Sequence, residues 1–295
     1  EGQWSAGYHV QTLIGPDATG RGTGNTFGGA SSIALNEAYV ALRAPVGNGL
    51  DFHIGQFVEP LGYESFDSYK NPNYSRSFGF VLEPTSQVGI TASYVFDTWL
   101  SATVGMANSV SSPIDAKAAI ESKKTYIALV TLTAPESMGS MKGATLSVGY
   151  ENGEANGGFN TTQFVYVGGT LPTPVKELTV GFAWDYVNVG ASGAAAGAWA
   201  NTLGTYVSYQ TTEKLKLNAR VDLAHSSAGV LYGGAAHNSD DLLAVTLTAD
   251  YNLWQNVVSR VELRWDKNIG GDAPFGATTG SQQSLTAALN VIYKF

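Results

Sequence analysis

The chain has 295 residues, a formal net charge of −8 and no cysteine, which argues against both a nucleic-acid partner and a disulfide framework. No apolar run approaches the roughly 18 residues of a membrane-crossing helix, so a helical membrane protein is excluded. Glycine-rich, tyrosine-rich sequence with few charges suits many strands joined by turns.

Taken in order, the chain alternates with a period of two, the signature of strands with one apolar side. Trp4, Ala6, Tyr8, Val10, Thr12 and Ile14 share a face. Residues 15–32 read as a Gly-, Thr- and Asn-rich loop. Residues 33–44 and 50–55 are two further strands around a tight turn at 45–49. After a long non-alternating segment, 59–83, the pattern resumes in residues 88–96 and 100–106. Residues 123–134 form a strand of ambiguous phase, because Ile127 and Leu129 interrupt its polar side. Residues 144–152 go back, 160–169 return with weak phase, and 176–189 alternate clearly.

The final third is the cleanest. Leu215, Leu217, Ala219, Val221 and Leu223 oppose Lys216, Asn218, Arg220 and Asp222. Residues 203–209, 243–251 and 257–266 behave alike, and the charges of these segments keep to one face. The last strand, 283–295, carries Leu285, Ala287, Leu289, Val291, Tyr293 and Phe295 on one side.

Connections alternate too. Those at 45–49, 97–98, 135–143, 171–175, 211–214 and 252–256 are compact, whereas those between them are generally longer, polar and Gly-rich. Short turns at one end and long loops at the other predict an all-β transmembrane up-and-down antiparallel barrel, one domain over residues 1–295. About fourteen strands are expected, with sixteen as the alternative; an even count puts both termini at the periplasmic side. Aromatic residues near strand ends, among them Trp4, Tyr94, Phe96, Trp99, Tyr209, Trp254 and Tyr293, suit girdles at two membrane interfaces. Glu1 reads as a mature or trimmed N-terminus from which an export signal has been removed.

A barrel this wide holds water, and the polar strand faces must line it. The expected pore-lining basic residues are Arg43, Lys216, Arg220, Arg260 and Arg264, interspersed with Asp222, Asp250, Glu262 and Asp266. Two readings stand side by side: a self-neutralising salt-bridged wall, or a basic patch that tunes ion passage. Segment 59–83 is too long and too aromatic for a passive loop. Folding into the lumen would bury Tyr63, Phe66, Tyr69, Tyr74, Phe78 and Phe80 and set the acids Glu59, Glu64 and Asp67 against the basic wall; the alternative is an extracellular lid.

The same segment carries a resemblance. Gly55-Gln56-Phe57, then Pro60-Leu61-Gly62-Tyr63-Glu64, then Asn71-Pro72-Asn73-Tyr74-Ser75-Arg76-Ser77 resemble the OmpL-like β-barrel porins. The likeness is strong over residues 33–96 and architectural elsewhere. The terminal strand, with aromatic Tyr293 and Phe295, is similar to the closing strand of bacterial outer-membrane barrels. These resemblances imply a porin in the outer membrane of a Gram-negative bacterium, contacting lipid and passing ions and small hydrophilic solutes by passive diffusion. Homotrimers are common in that class.

Other chemistry is thin. His9, His53, His225 and His237 lack metal-ligand spacing, and no cofactor motif is present. His225 and Ser226 point to opposite faces of one strand, which disfavours a hydrolase, so no enzyme is expected. Two competing readings are a non-conducting barrel that sheathes a partner protein and a soluble β-sandwich.

Overall fold

A computed structural model describes residues 3–15, 18, 33–111, 114–191, 197–227, 230–231, 239–271, 273–275 and 280–294. Expectations for Phe295, His237, most of 15–32 and the loop around 232–238 lie outside the described residues. The strands are β1 (Ser5–Ile14), β2 (Ile33–Ala44), β3 (Leu50–Val58), β4 (Ser86–Asp97), β5 (Leu100–Ala107), β6 (Thr125–Thr133) and β7 (Thr145–Glu154). They continue as β8 (Thr161–Pro172), β9 (Leu178–Val189), β10 (Ala198–Gln210), β11 (Leu215–Ser227), β12 (Ser239–Trp254), β13 (Val257–Asn268) and β14 (Gln283–Tyr293).

These 14 strands form one sheet in chain order, each antiparallel to the next. The segment between β3 and β4, residues 59–85 (L3), lies inside it. Gln11 of β1 donates to Asp67 Oδ1 of L3 (3.1 Å), while Lys294, just past β14, holds its ammonium 5.6 Å from the centre of the Tyr69 ring. Residues from the first and last strands' neighbourhoods thus meet the same turn of L3, so the sheet curls around the loop as an up-and-down barrel.

The two faces of the wall invert the usual order of a soluble fold. Leu217, Val221 and Leu223 of β11 are exposed, whereas the inward Asn218, Arg220 and Asp222 are buried. Leu247, Val261, Leu263, Leu285 and Leu289 extend the exposed apolar surface across β12–β14. A continuous apolar outer belt is the surface that lipid requires. A soluble β-sandwich would expose its charged strand faces, and the observed polarity excludes that reading.

Aromatic residues mark the short-turn rim: Trp4, Tyr94, Phe96, Trp99, Tyr209, Tyr251, Trp254 and Tyr293. Most are exposed, as an interfacial girdle demands. The phase ambiguities of β6 and β8 have a local cause. Inward Ile127, Leu129, Phe164 and Tyr166 belong to an apolar cluster with Phe57 and Leu61, the latter from L3. The wall is apolar on its inner side wherever an apolar stretch of L3 covers it.

Candidate functional site: a loop clamped inside the lumen

L3 holds a 3-10 turn, Ser68–Lys70, and a short helix α1 (Phe78–Leu82). Ser77 caps α1, its hydroxyl accepting from the Phe80 amide at 3.1 Å. Phe66, Phe78 and Phe80 are buried as expected. Tyr69 and Tyr74 are not: both stay exposed, a correction to the expectation that every aromatic residue of the loop needs cover.

A loop inside a barrel carries backbone groups that need partners, and the β11–β13 wall supplies them. The Arg220 side chain is 0% exposed and donates to the carbonyls of Ser75 (2.7 Å) and Arg76 (3.0 Å) and to Glu64 Oε1 (2.9 Å). Its Nε donates to Asp222 at 2.6 Å. Arg260 donates to the carbonyls of Ser68 (3.2 Å) and Asn71 (3.0 Å) and pairs with Asp250 at 2.7 Å. Arg264 pairs with Asp266 at 2.7 Å, donates to the Arg76 carbonyl and lies 5.3 Å from the Phe78 ring centre.

Amides are served from the same wall. Glu262 accepts from the backbone of Tyr74 (2.6 Å) and Ser75 (2.8 Å), and the Thr248 hydroxyl donates to it at 2.7 Å. Cations thus face carbonyls and a carboxylate faces amides. Charge-assisted bonds of this kind are among the strongest available to a backbone.

The opposite side of L3 leans on β7–β10 by shape. A Cβ at Gly149 would lie 2.6 Å from Leu61 Cγ, and one at Gly181 would lie 1.9 Å from the Tyr63 hydroxyl. A Cβ at either position would push the Leu61 or Tyr63 side chain out of its seat. Tyr63 stacks on Tyr206 with ring centres 4.3 Å apart. Carboxyl groups gather here as well. Burial, reinforced by neighbouring Glu151, pushes Glu59 well above the ordinary carboxylate range. Burial pushes Glu83 up similarly, with Asp185 and Glu64 nearby.

The expected site residues therefore divide. Glu64 meets the basic wall at Arg220. Glu59 does not: it follows β3 directly, too early in L3 to cross the lumen, and sits with Glu151 of β7. Asp67 turns away as well, pairing with Lys70 of its own loop at 2.8 Å and accepting from Gln11. Arg220, Arg260 and Arg264 face inward, yet L3 covers them, so they hold backbone and paired carboxylates instead of facing water. Arg43 stands apart near the short turn after β2, paired with Asp51 at 2.8 Å and 52% exposed.

Lys216 lines a cavity of about 380 Å³ at the short-turn end of the lumen, beneath the Ser68–Lys70 turn. Lys70, Lys214, Arg260 and Lys294 line it too. Sequence reasoning missed Lys70 and Lys214, which lie in a loop and a turn where no alternation marks an inward side chain; Lys294 continues the polar face of the last strand but was not counted among the pore-lining cations. It also missed the clamping role of Glu262, because the partner is backbone and backbone leaves no residue-specific trace.

An amphiphilic wall with apolar side chains outside, polar groups inside and an inserted loop after the third strand defines an outer-membrane β-barrel of the porin class. The family described as "Putative beta-barrel porin-2, OmpL-like" matches residues 2–295, and the chain belongs to it. Its place is the bacterial outer membrane. Among curated proteins none matches in sequence.

Solved barrels share the fold at low identity. The outer membrane channel DcaP of Acinetobacter baumannii aligns with a TM-score of 0.64 at 14% identity, over 100% of this chain and 82% of that one. OmpT of Vibrio cholerae in its trimer form aligns at 0.60 and 11%, over 90% and 82%. The anion-selective porin of Comamonas acidovorans aligns at 0.57 and 11%, over 99% and 100%.

Proposed function

We propose that this barrel is a channel for passive diffusion of ions and small hydrophilic solutes, narrowed by L3. The observation that carries the reading is the polar inner wall with a loop fastened across part of it. L3 covers β11–β13, whereas on β1–β3 inward side chains toward the short-turn end stay open: His9 is 45% exposed, Arg43 52% and Asp51 42%. Solute would pass on that open side, between L3 and the β1–β3 wall. A lumen of fixed width needs a loop that does not swing, which is what the arginine clamp supports.

Selectivity on this reading belongs to the charges that water reaches, Arg43 and Lys216 foremost. The anion-selective porin with the same fold makes anion preference the natural expectation. The trimer form recorded for OmpT supports a three-fold assembly of this chain also.

The test is single-channel current from detergent-purified protein in a planar bilayer under a salt gradient. Stepwise, long-lived conductance with a reversal potential favouring anions is expected. Folded, heat-modifiable barrel that passes no current would replace the channel with the sheath reading.

A further inference from the structure

We infer that the short-turn end of the lumen holds a saturable binding site for a small anion, carboxylate or phosphate, that also carries hydroxyl groups. The inference deepens the channel reading and rests on it for the site's role, though not for its occupancy.

The cavity under the Ser68–Lys70 turn is lined by five cationic side chains, Lys70, Lys214, Lys216, Arg260 and Lys294, against one carboxylate, Asp250. Two of the cations are neutralised locally. Arg260 holds Asp250, and Lys70 holds Asp67, which lies just outside the lining. Asp250 is further engaged by the Asn218 amide at 3.2 Å. Among the described residues no carboxylate lies within ion-pairing distance of Lys214, Lys216 or Lys294.

Three ammonium groups with no carboxylate partner among the described residues repel each other around one concavity, and an entering anion relieves that repulsion. Low-dielectric walls on both sides focus their field into the cavity. The wall arginines differ: Arg220, Arg264 and Arg43 each have a carboxylate within 3 Å.

The remaining lining limits what kind of anion fits. Thr179, Ser208 and Asn252 offer neutral hydrogen-bonding groups. Tyr69 presents an exposed ring already bracketed by Lys70 at 5.5 Å and Lys294 at 5.6 Å. About 380 Å³ is near the lower end for a ligand pocket, so the occupant is small. A charged end on the lysines with hydroxyls against the polar side chains satisfies all of these groups together.

Titration calorimetry on the folded, detergent-purified protein at low ionic strength tests the site. The probes are gluconate, glucose 6-phosphate and, as the neutral control, glucose. Saturable binding of at least one anion and none of glucose is expected. Gluconate alone would assign the carboxylate, glucose 6-phosphate alone the phosphate. The K216Q/K294Q variant, checked for heat-modifiable folding, should bind about tenfold more weakly for each lysine removed. No saturable binding of either anion, equal binding of glucose, or unchanged affinity in the variant would overturn the site. Binding without conductance would remove the channel and keep the site; conductance without binding would do the reverse.

Discussion

Two walls of the same lumen use charge in opposite ways. On β11–β13 each arginine lies under L3, Arg220 and Arg260 buried and Arg264 partly so, and spends its donors on backbone carbonyls and a neighbouring carboxylate. On β2–β3 Arg43 pairs with Asp51 in open water. Sequence alone makes them equivalent, since all are arginines on the polar face of an alternating strand. What separates them is whether a stretch of backbone with unmet hydrogen bonds lies above. A covered cation becomes a fastener and an uncovered one remains an electrostatic element.

The sharpest way to break this contrast is Arg220→Ala. Removing one partner of a buried, fully bonded pair costs about 3–5 kcal/mol, here by stranding Glu64, Asp222 and two carbonyls of L3. L3 amides should lose hydrogen-exchange protection, and trypsin should nick the loop at Lys70 or Arg76 in an otherwise folded barrel. Retained protection of residues 73–77 would show that the clamp is not needed. Gly149→Val attacks the seat on the other wall. Its side chain would collide with Leu61, at about 1–3 kcal/mol for an overpacked site, and should be visible as a lowered unfolding temperature.

A third prediction concerns pH. Glu59 has its pKa raised in the folded state, so the folded barrel binds the proton more tightly than the unfolded chain. Stability must then fall as pH rises above the ordinary carboxylate value of 4.5, until the folded-state pKa is passed. Glu59→Gln should flatten that part of the profile when unfolding is followed against pH. The smallest effect is expected at the open wall. Arg43→Gln should cost no more than about 1 kcal/mol, as exposed ion pairs do, while moving the reversal potential toward cations.

Much of this architecture was legible in the residues. Alternation placed the strands, and the strict one-sidedness of charge in β11 and β13 showed which face turned inward. The motif from Gly55 to Ser77 pointed to an inserted loop. Partner choice was not legible. Glu59, Glu64 and Asp67 are all acids of one loop, yet they end beside Glu151, Arg220 and Lys70, because the path of L3 across the lumen decides which wall each can reach. Periodicity failed in β6 and β8 for a related reason: the rule assumes water inside, and there the interior neighbour is Leu61.

The clamp also constrains how the molecule is made. Ser68 and Arg260 lie 192 positions apart in the chain, so the loop emerges from synthesis long before its fasteners exist. Non-local contacts of this span form late, after the cost of closing long stretches of chain has been met. Until β11–β13 are in place, the carbonyls of residues 68–76 have only water to bond. The last hairpins therefore complete the circumference and, in the same step, convert a wet, wandering segment into a fixed partition.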